Sequence, residues 1–360
     1  MERPTPRSPA ADRARQAGPA DPALPLVTIF TPTYDRAHFL PETIESILGQ
    51  DYPNLEYIVL DNGSTDDTQE ILRGYGDAIR SERHPQNIGL SRAINRGFEL
   101  ARGEIMGFVS DDDPLLPGAV SALVEVFQSH PEVVVVYPDW EVIDGEGRHV
   151  RHIETFEYAY ADMVRYHHTY PGPGALFRRS VVDRAGGFDE SYRIVSDYDF
   201  WLRAGLLGPF RRCPRTLARY RQHRAAATQV ERGVGLAREH IRVIDKLYER
   251  TDLPPEVLAV RTEAYRNAHY VAAMILRLDV PPDERFALTD FFFTPRSATR
   301  PAGPGRPSGR ARPPRRGRGS AAQFMLALYG RLAASPLRRT LHVVPPAWRQ
   351  AIYRWFSQRR

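Results

Sequence analysis

The sequence predicts an α/β protein: a mostly parallel sheet flanked by helices, then an α+β half, then a helical C-terminal extension. Short apolar, β-branched runs alternate with helical stretches of about ten residues between Leu26 and Tyr137, the pattern of strand–helix–strand units. Each of the principal apolar runs ends in a polar loop, as strands do at the edge where a parallel sheet opens to a ligand. After Tyr137 the alternation stops and Pro/Gly turns take over.

Residues 1–25 are rich in Pro, Ala and Arg and read as a disordered leader. Val27-Thr28-Ile29-Phe30 is the first strand and ends in Thr31-Pro32-Thr33-Tyr34; Pro41 to Gly49 then has helical spacing through Ile44, Ile47 and Leu48. Leu55 to Leu60 is the second strand, ending at Asp61-Asn62-Gly63-Ser64, and Asp66 to Tyr75 a helix capped by Ser64 or Thr65. Ile79 to Arg83 is a strand, Leu90 to Ala101 a helix, Ile105 to Val109 a strand, Pro117 to Ser129 a helix and Val133 to Tyr137 a further strand.

In the second half, Pro171-Gly172-Pro173-Gly174 leads into Ala175-Leu176-Phe177, and Gly186-Gly187-Phe188-Asp189-Glu190 turns before a helix starting near Asp197. Leu206 to Tyr220 holds strands, and Ala225 to Leu278 two amphipathic helices divided by Leu253-Pro254-Pro255. Residues 295–320 are almost wholly Arg, Pro, Gly, Ser and Ala, a linker that cannot bury enough surface to fold. Residues 321–360 form short basic amphipathic helices, Gln323 to Ala333 and Trp348 to Phe356.

With 360 residues and 42% hydrophobic side chains the chain can fill a real core. A single cysteine, Cys213, excludes an internal disulfide and a thiolate metal cage and suits a reducing compartment. There is no apolar segment of the secretory-signal kind and no run of about 18 apolar residues, so a soluble, cytoplasmic protein is expected. The net charge of +5 conceals an asymmetry: residues 295–360 carry 15 arginines and no acidic residue, which leaves the preceding body at 34 basic against 44 acidic, or −10.

The sharpest chemical feature is Ser110-Asp111-Asp112-Asp113 at the end of a strand. Adjacent carboxylates repel one another and are tolerated best around a cation or at a helix N-terminus. Their oxygens suit Mg²⁺ or Mn²⁺ shared with a nucleotide diphosphate, while an acidic cap on the helix from Pro117 is the plainer reading. Asp61, at the end of the neighbouring strand, either accepts hydrogen bonds from a base imide or ribose hydroxyl or closes an Asx turn.

Four ordered motifs, Val27 to Arg36, Tyr57 to Asp66, Asn87-Ile88-Gly89 with Asn95 and Gly103-Glu104, and the acidic run with Leu116-Pro117, resemble glycosyltransferase family 2. The likeness spans roughly Pro25 to His223. It implies a GT-A fold over residues 26–224, with a nucleotide-sugar half at about 26–137 and an acceptor half at about 138–224, followed by a helical region over 225–294. It also implies a nucleotide-diphospho-sugar donor, a divalent cation and inversion at the anomeric carbon. By position Pro32, Thr33 and Tyr34 line the nucleobase, Asp61 reads the base and Asp111 lies nearer the ribose. The family's usual first acidic position is Ser110 here, which makes Asp112 the metal ligand, with Asp113 behind it.

The same resemblance places the general base at Asp197 in Ser196-Asp197-Tyr198-Asp199, with Ser196 where the family usually has an acidic residue. Without an acidic neighbour Asp197 should be raised less by like-charge repulsion. Asp199 is read as structural. His223 is either a third ligand to the cation or a surface histidine. Arg36, Arg92, Arg219, Arg221 and Arg224 are diphosphate candidates, and His167-His168 with Tyr170 to Gly174 line the acceptor side or fill a loop. The function expected is an inverting, metal-dependent glycosyltransferase acting on surface polysaccharide or lipid-linked glycan. The alternative is a catalytically silent module that binds nucleotide-sugar or scaffolds an assembly. The basic tail, with Phe324, Trp348, Trp355 and Phe356 among its arginines, fits an anionic membrane on the inner face better than nucleic acid; a solvated linker plus a packed helix is its bland reading.

Overall fold

The computed structural model of the chain describes residues 24–223 and 234–277. The leader before residue 24, Arg224, the basic linker and the C-terminal basic helices lie outside the described residues. Two units separate, Met1–His269 and Tyr270–Arg360, and the fold below belongs to the first.

An eight-stranded mixed sheet forms the centre. β1 (Val27–Thr33) pairs in parallel with β2 (Leu55–Asp61) on one side and β4 (Ile105–Phe108) on the other, and β3 (Arg80–Arg83) extends the sheet beyond β2. Every residue of β1 is buried, which explains its unbroken run of apolar and threonine side chains: helices cover both faces of a parallel sheet. The register aligns Thr33 with Asp61 and Asp61 with Arg83, so neighbouring strands end level and their loops open from one edge.

Helices α1 (Leu40–Leu48), α2 (Thr68–Tyr75), α3 (Leu90–Leu100) and α4 (Ala119–Ser129) make the crossovers. On α3, Gly97 lets the helix sit directly on Phe30; a Cβ there would fall 2.3 Å from the Phe30 ring. The N-cap of α2 is Asp67, not Ser64 or Thr65. Ser64 and Thr65 give their backbone N–H groups to Asp61 and Asp35, while Asp66 accepts from the Thr68 N–H at 3.1 Å and its hydroxyl at 2.6 Å. α4 begins at Ala119 and not at Pro117, because Gly118 adopts φ +76°, outside helical space.

The second half inserts an antiparallel strand. β5 (Val135–Ile143) runs on past Tyr137, where the sequence suggested an end, because Pro138 sits at a register shift rather than in an uninterrupted ladder. β6 (His149–Ile153) returns antiparallel along the far half of β5, and β7 (Leu176–Arg178) joins β4 to the first residues of β5, antiparallel to both. β8 (Phe210–Arg221) is one long strand parallel to β5, with Pro214 accommodated opposite the Pro138 irregularity.

The remaining helices are α5 (Tyr160–Tyr166), α6 (Arg179–Ala185), α7 (Ser196–Gly205), α8 (Val234–Tyr248), α9 (Pro255–Ala259) and α10 (Arg261–Arg277). Where two helices were expected between residues 225 and 278, the described residues of that stretch hold three, α9 being a single turn started by Pro255. Aromatic rings weld α7 to the sheet: Phe98 stacks on Phe200 at 5.7 Å, and Phe108 at the end of β4 stacks on Trp201 at 6.3 Å.

Candidate active site

The loops after β1 and β2 interlock through their own polar side chains. Asp35, at φ +51°, accepts from the Thr65 N–H at 2.7 Å; its own N–H donates to Ser64 Oγ at 3.0 Å; and Asp66 accepts from the Ala37 N–H at 2.9 Å. Gly63, at φ +82°, has the Gln86 backbone 2.5 Å from where a Cβ would stand, so only glycine fits. Asn62 then accepts from the Ile88 N–H and donates to Asn87, whose oxygen also receives the Gly89 N–H. Asn87-Ile88-Gly89 is therefore the dock for the β2 loop.

Asp61 is completely buried. Its Oδ1 accepts the Ser64 N–H at 2.8 Å, closing the turn, and its Oδ2 accepts from Gln69 Nε2 at 2.5 Å with Arg83 Nε 3.4 Å away. Tyr34, by contrast, is 41% exposed at the mouth of β1 and offers an open ring face.

The acidic run divides its three carboxylates by direction. Asp112 Oδ2 meets His223 Nε2 at 2.7 Å, with Arg36 Nη1 3.0 Å from His223 Nε2 and 3.7 Å from Asp112. Asp113 turns away: its Oδ1 accepts the Arg221 N–H at 2.8 Å. Arg221 is itself buried, its Nε donating to the Asp112 carbonyl at 3.1 Å and its Nη1 to the Asp144 carbonyl at 3.3 Å, while its Nη2 pairs with Glu42 of α1 and its guanidinium lies 4.9 Å over the Phe39 ring. This clamp fastens the end of β8 to the acidic run, and His223 reaches Asp112 because it follows two residues later.

Burial and the neighbouring Asp112 push the Asp111 carboxyl up to about 7, against the opposing pull of Thr33, Arg36 and the Tyr34 amide. Burial and Asp112 likewise hold Asp113 well above the usual carboxylate range. Carboxyls raised in this way mark a place where negative charge lacks compensation, which a cation supplies. Among the described residues no group of three or more His, Cys, Asp or Glu side chains could hold a metal ion. The adjacent pair Asp112 and His223 are the residues that would hold a hard divalent cation, with a nucleotide's phosphate oxygens as further donors.

Asp197 stands in the first turn of α7, one helical turn before Trp201 and so on the same face. Since Trp201 packs on Phe108, that face points to the end of β4, three residues ahead of Asp111. Burial pushes the Asp197 carboxyl up to about 6; the Tyr198 N–H, donating at 2.7 Å, and its own amide pull the other way. The Glycosyl transferase family 2 model matches residues 28–186, the span that holds these loops and the acidic run. Over that span the chain is similar to glycosyltransferase family 2.

An uncharacterised glycosyltransferase of Rickettsia prowazekii is 30% identical over 186 residues, which cover 50% of this chain and 58% of the relative. Escherichia coli chondroitin synthase is 31% identical over 195 residues, 52% of this chain and 28% of that protein. The chain therefore spans little more than half of the first relative and about a quarter of the second. In structure, Staphylococcus aureus TarS residues 1–349, in complex with UDP-GlcNAc, superposes with a TM-score of 0.58 at 18% identity, covering 74% of this chain and 80% of that one. The fold is GT-A, a mostly parallel mixed sheet flanked by helices.

Within this GT-A fold the sequence-predicted residues fall into three groups. Arg36, Asp112 and His223 meet; Pro32, Thr33, Tyr34, Asp61 and Asp111 line the same edge of β1, β2 and the acidic run. Arg92 pairs instead with Glu190 at 2.7 Å, Arg219 with Glu141 at 2.7 Å, and Arg221 is consumed by the clamp. His167 is buried against His240, Nε2 to Nδ1 2.9 Å, and faces the interior rather than an acceptor. Asp199 pairs with Arg203 and Lys246, as a structural residue does. Sequence reasoning did not identify Glu42, Asp35, Gln69 or Arg83 as site residues. The register of β2 with β3 brings Arg83 level with Asp61, but a four-residue exposed strand leaves little hydrophobic pattern from which to read it.

Proposed function

We propose that this protein is an inverting glycosyltransferase that moves a sugar from a nucleoside-diphosphate donor to an acceptor hydroxyl. The observation that carries the reading is the meeting of Asp112, His223 and Arg36 beyond the carboxyl ends of parallel strands, where doubly wound sheets bind ligands. Tyr34 stacks the nucleobase on its exposed face. For Asp61 to accept from a base N–H, Gln69 or Arg83 must give way, and Arg83, with 51% of its side chain exposed, does so by releasing the Ser64 carbonyl that its Nη2 holds at 3.0 Å. Arg36 neutralises diphosphate oxygens.

A divalent cation, Mn²⁺ or Mg²⁺, held by Asp112 and His223 supplies further neutralisation of the departing diphosphate. On the acceptor side Asp197, pushed up to about 6, takes the hydroxyl proton as the acceptor oxygen bonds to the anomeric carbon and the bond from that carbon to the diphosphate breaks. Attack opposite the leaving group inverts the anomeric centre. The similarity to chondroitin synthase supports a polysaccharide or lipid-linked glycan as acceptor class.

The test is a panel of UDP-, GDP- and dTDP-sugars with Mn²⁺, scored for hydrolysis and for transfer to oligosaccharide acceptors. Wild type should turn over at least one donor, and Asp197→Asn and Asp112→Ala should each lower the rate by roughly 10²-fold or more. Absence of any turnover, or variants equal to wild type, favours the catalytically silent nucleotide-sugar-binding module.

A further inference from the structure

We propose that α8 positions the general base, with Glu239 as the positioning residue; this rests on the assignment of Asp197 as that base. α7 begins without a cap of its own: its N-cap residue is Val195, whose side chain has no oxygen to accept the free N–H groups of a helix start. Glu239, buried on α8, instead holds the three residues that lead into the helix. Its Oε1 accepts the Arg193 N–H at 3.0 Å, and its Oε2 accepts those of Ile194 at 3.1 Å and Val195 at 3.4 Å. A carboxylate here also complements the positive end of the α7 dipole. Asp197 follows two residues later.

The grip continues along the same face of α8 at helical spacing. Arg242 donates to the Ser191 carbonyl at 2.7 Å and lies 4.0 Å over the Tyr192 ring. Lys246, the only lysine in the chain, reaches Asp189 at 2.8 Å and Asp199 at 2.7 Å. These contacts bracket Asp197 on both sides. α8 and the helix that bears Asp197 both lie beyond the matched family span, which ends at residue 186.

A merely structural contact and a positioning contact differ in what they move. In Glu239→Ala the amides of residues 193–195 should exchange with solvent at least tenfold faster. The kcat should fall roughly 10- to 100-fold, the cost of a misplaced catalytic group, while the donor KM and the affinity for UDP with Mn²⁺ stay within twofold. Glu239→Gln, which keeps one acceptor oxygen, should lie between. Arg238→Ala, on the exposed side of the helix, should match wild type. Should Glu239→Ala fail to fold, Glu239→Gln carries the same comparison. Unchanged exchange at 193–195 in a folded variant, or UDP affinity lost in parallel with kcat, overturns the proposal. The base assignment fails separately, if Asp197→Asn turns over like wild type; an inactive Asp197→Asn beside a fully active Glu239→Ala sinks the positioning role alone.

Discussion

The proposed base is Asp197. Its carboxyl is pushed up to about 6 by burial, with no neighbouring carboxylate among the causes, in keeping with serine at position 196. As a base it works only when deprotonated, so the rate should climb as pH rises through about 6 and level off above. Stability runs the other way. The folded state holds the Asp197 proton more tightly than the unfolded chain, whose aspartates titrate near 3.9. Its favourable contribution is therefore complete below about pH 4 and lost as pH rises through about 6. Asp197→Asn removes the buried charge, so it should be inactive yet more stable than wild type at pH 8, by on the order of 2 kcal/mol, with much less advantage at pH 4. Melting curves at the two pH values decide this: an equal gain at both would show that burial of the charge is not what strains the site.

Among the elements, β8 governs the proposed cation site although it contributes one side chain beyond its end. The strand is tied down by Arg221, which bonds the Asp112 carbonyl, the β5–β6 turn and Glu42 at once and gives its own N–H to Asp113. Lysine at 221 keeps the charge but cannot reproduce the fork. Arg221→Lys should raise the Mn²⁺ concentration needed for half-maximal activity by roughly tenfold, the usual effect of losing a group that orients a metal ligand. Arg221→Met leaves the Asp112 and Asp144 carbonyls without their donor and should cost about 1–3 kcal/mol of stability as well. Mn²⁺ titrations of the lysine variant that overlay wild type would mean that β8 finds its place without the clamp. The packing of α3 on β1 is a second such constraint: Gly97→Ala has no room beside Phe30 and should destabilise by about 1–3 kcal/mol, read from a urea midpoint.

For the whole molecule the division of charge matters more than its sum. The body carries −10 and residues 295–360 carry +15. No helix among the described residues is long and apolar enough to cross a membrane. On the charge of its basic tail alone, we propose peripheral attachment of that tail to an anionic surface. The full chain should bind phosphatidylglycerol vesicles at low salt and release in high salt, and deletion from Pro295 should abolish binding; a truncated chain that still binds would place the contact elsewhere. The alternation of strands and helices, the loops at the strand ends and the helix bearing Asp197 were legible in the sequence, because periodicity, turn residues and apolar runs are local signals. The length of β5 was not, since Pro138 stops a strand in isolation and only the matching irregularity in β8 lets it pass. Three consecutive aspartates are alike by type, and it was the family resemblance that singled out Asp112. The tertiary structure assigns Asp112 to His223 and Asp113 to the Arg221 amide, buries Asp61 under Gln69, and brings Glu239 to the start of α7. Where a side chain points, and which donor fills it, depends on strands and helices that return from far along the chain, and that information exists only once the chain has closed on itself.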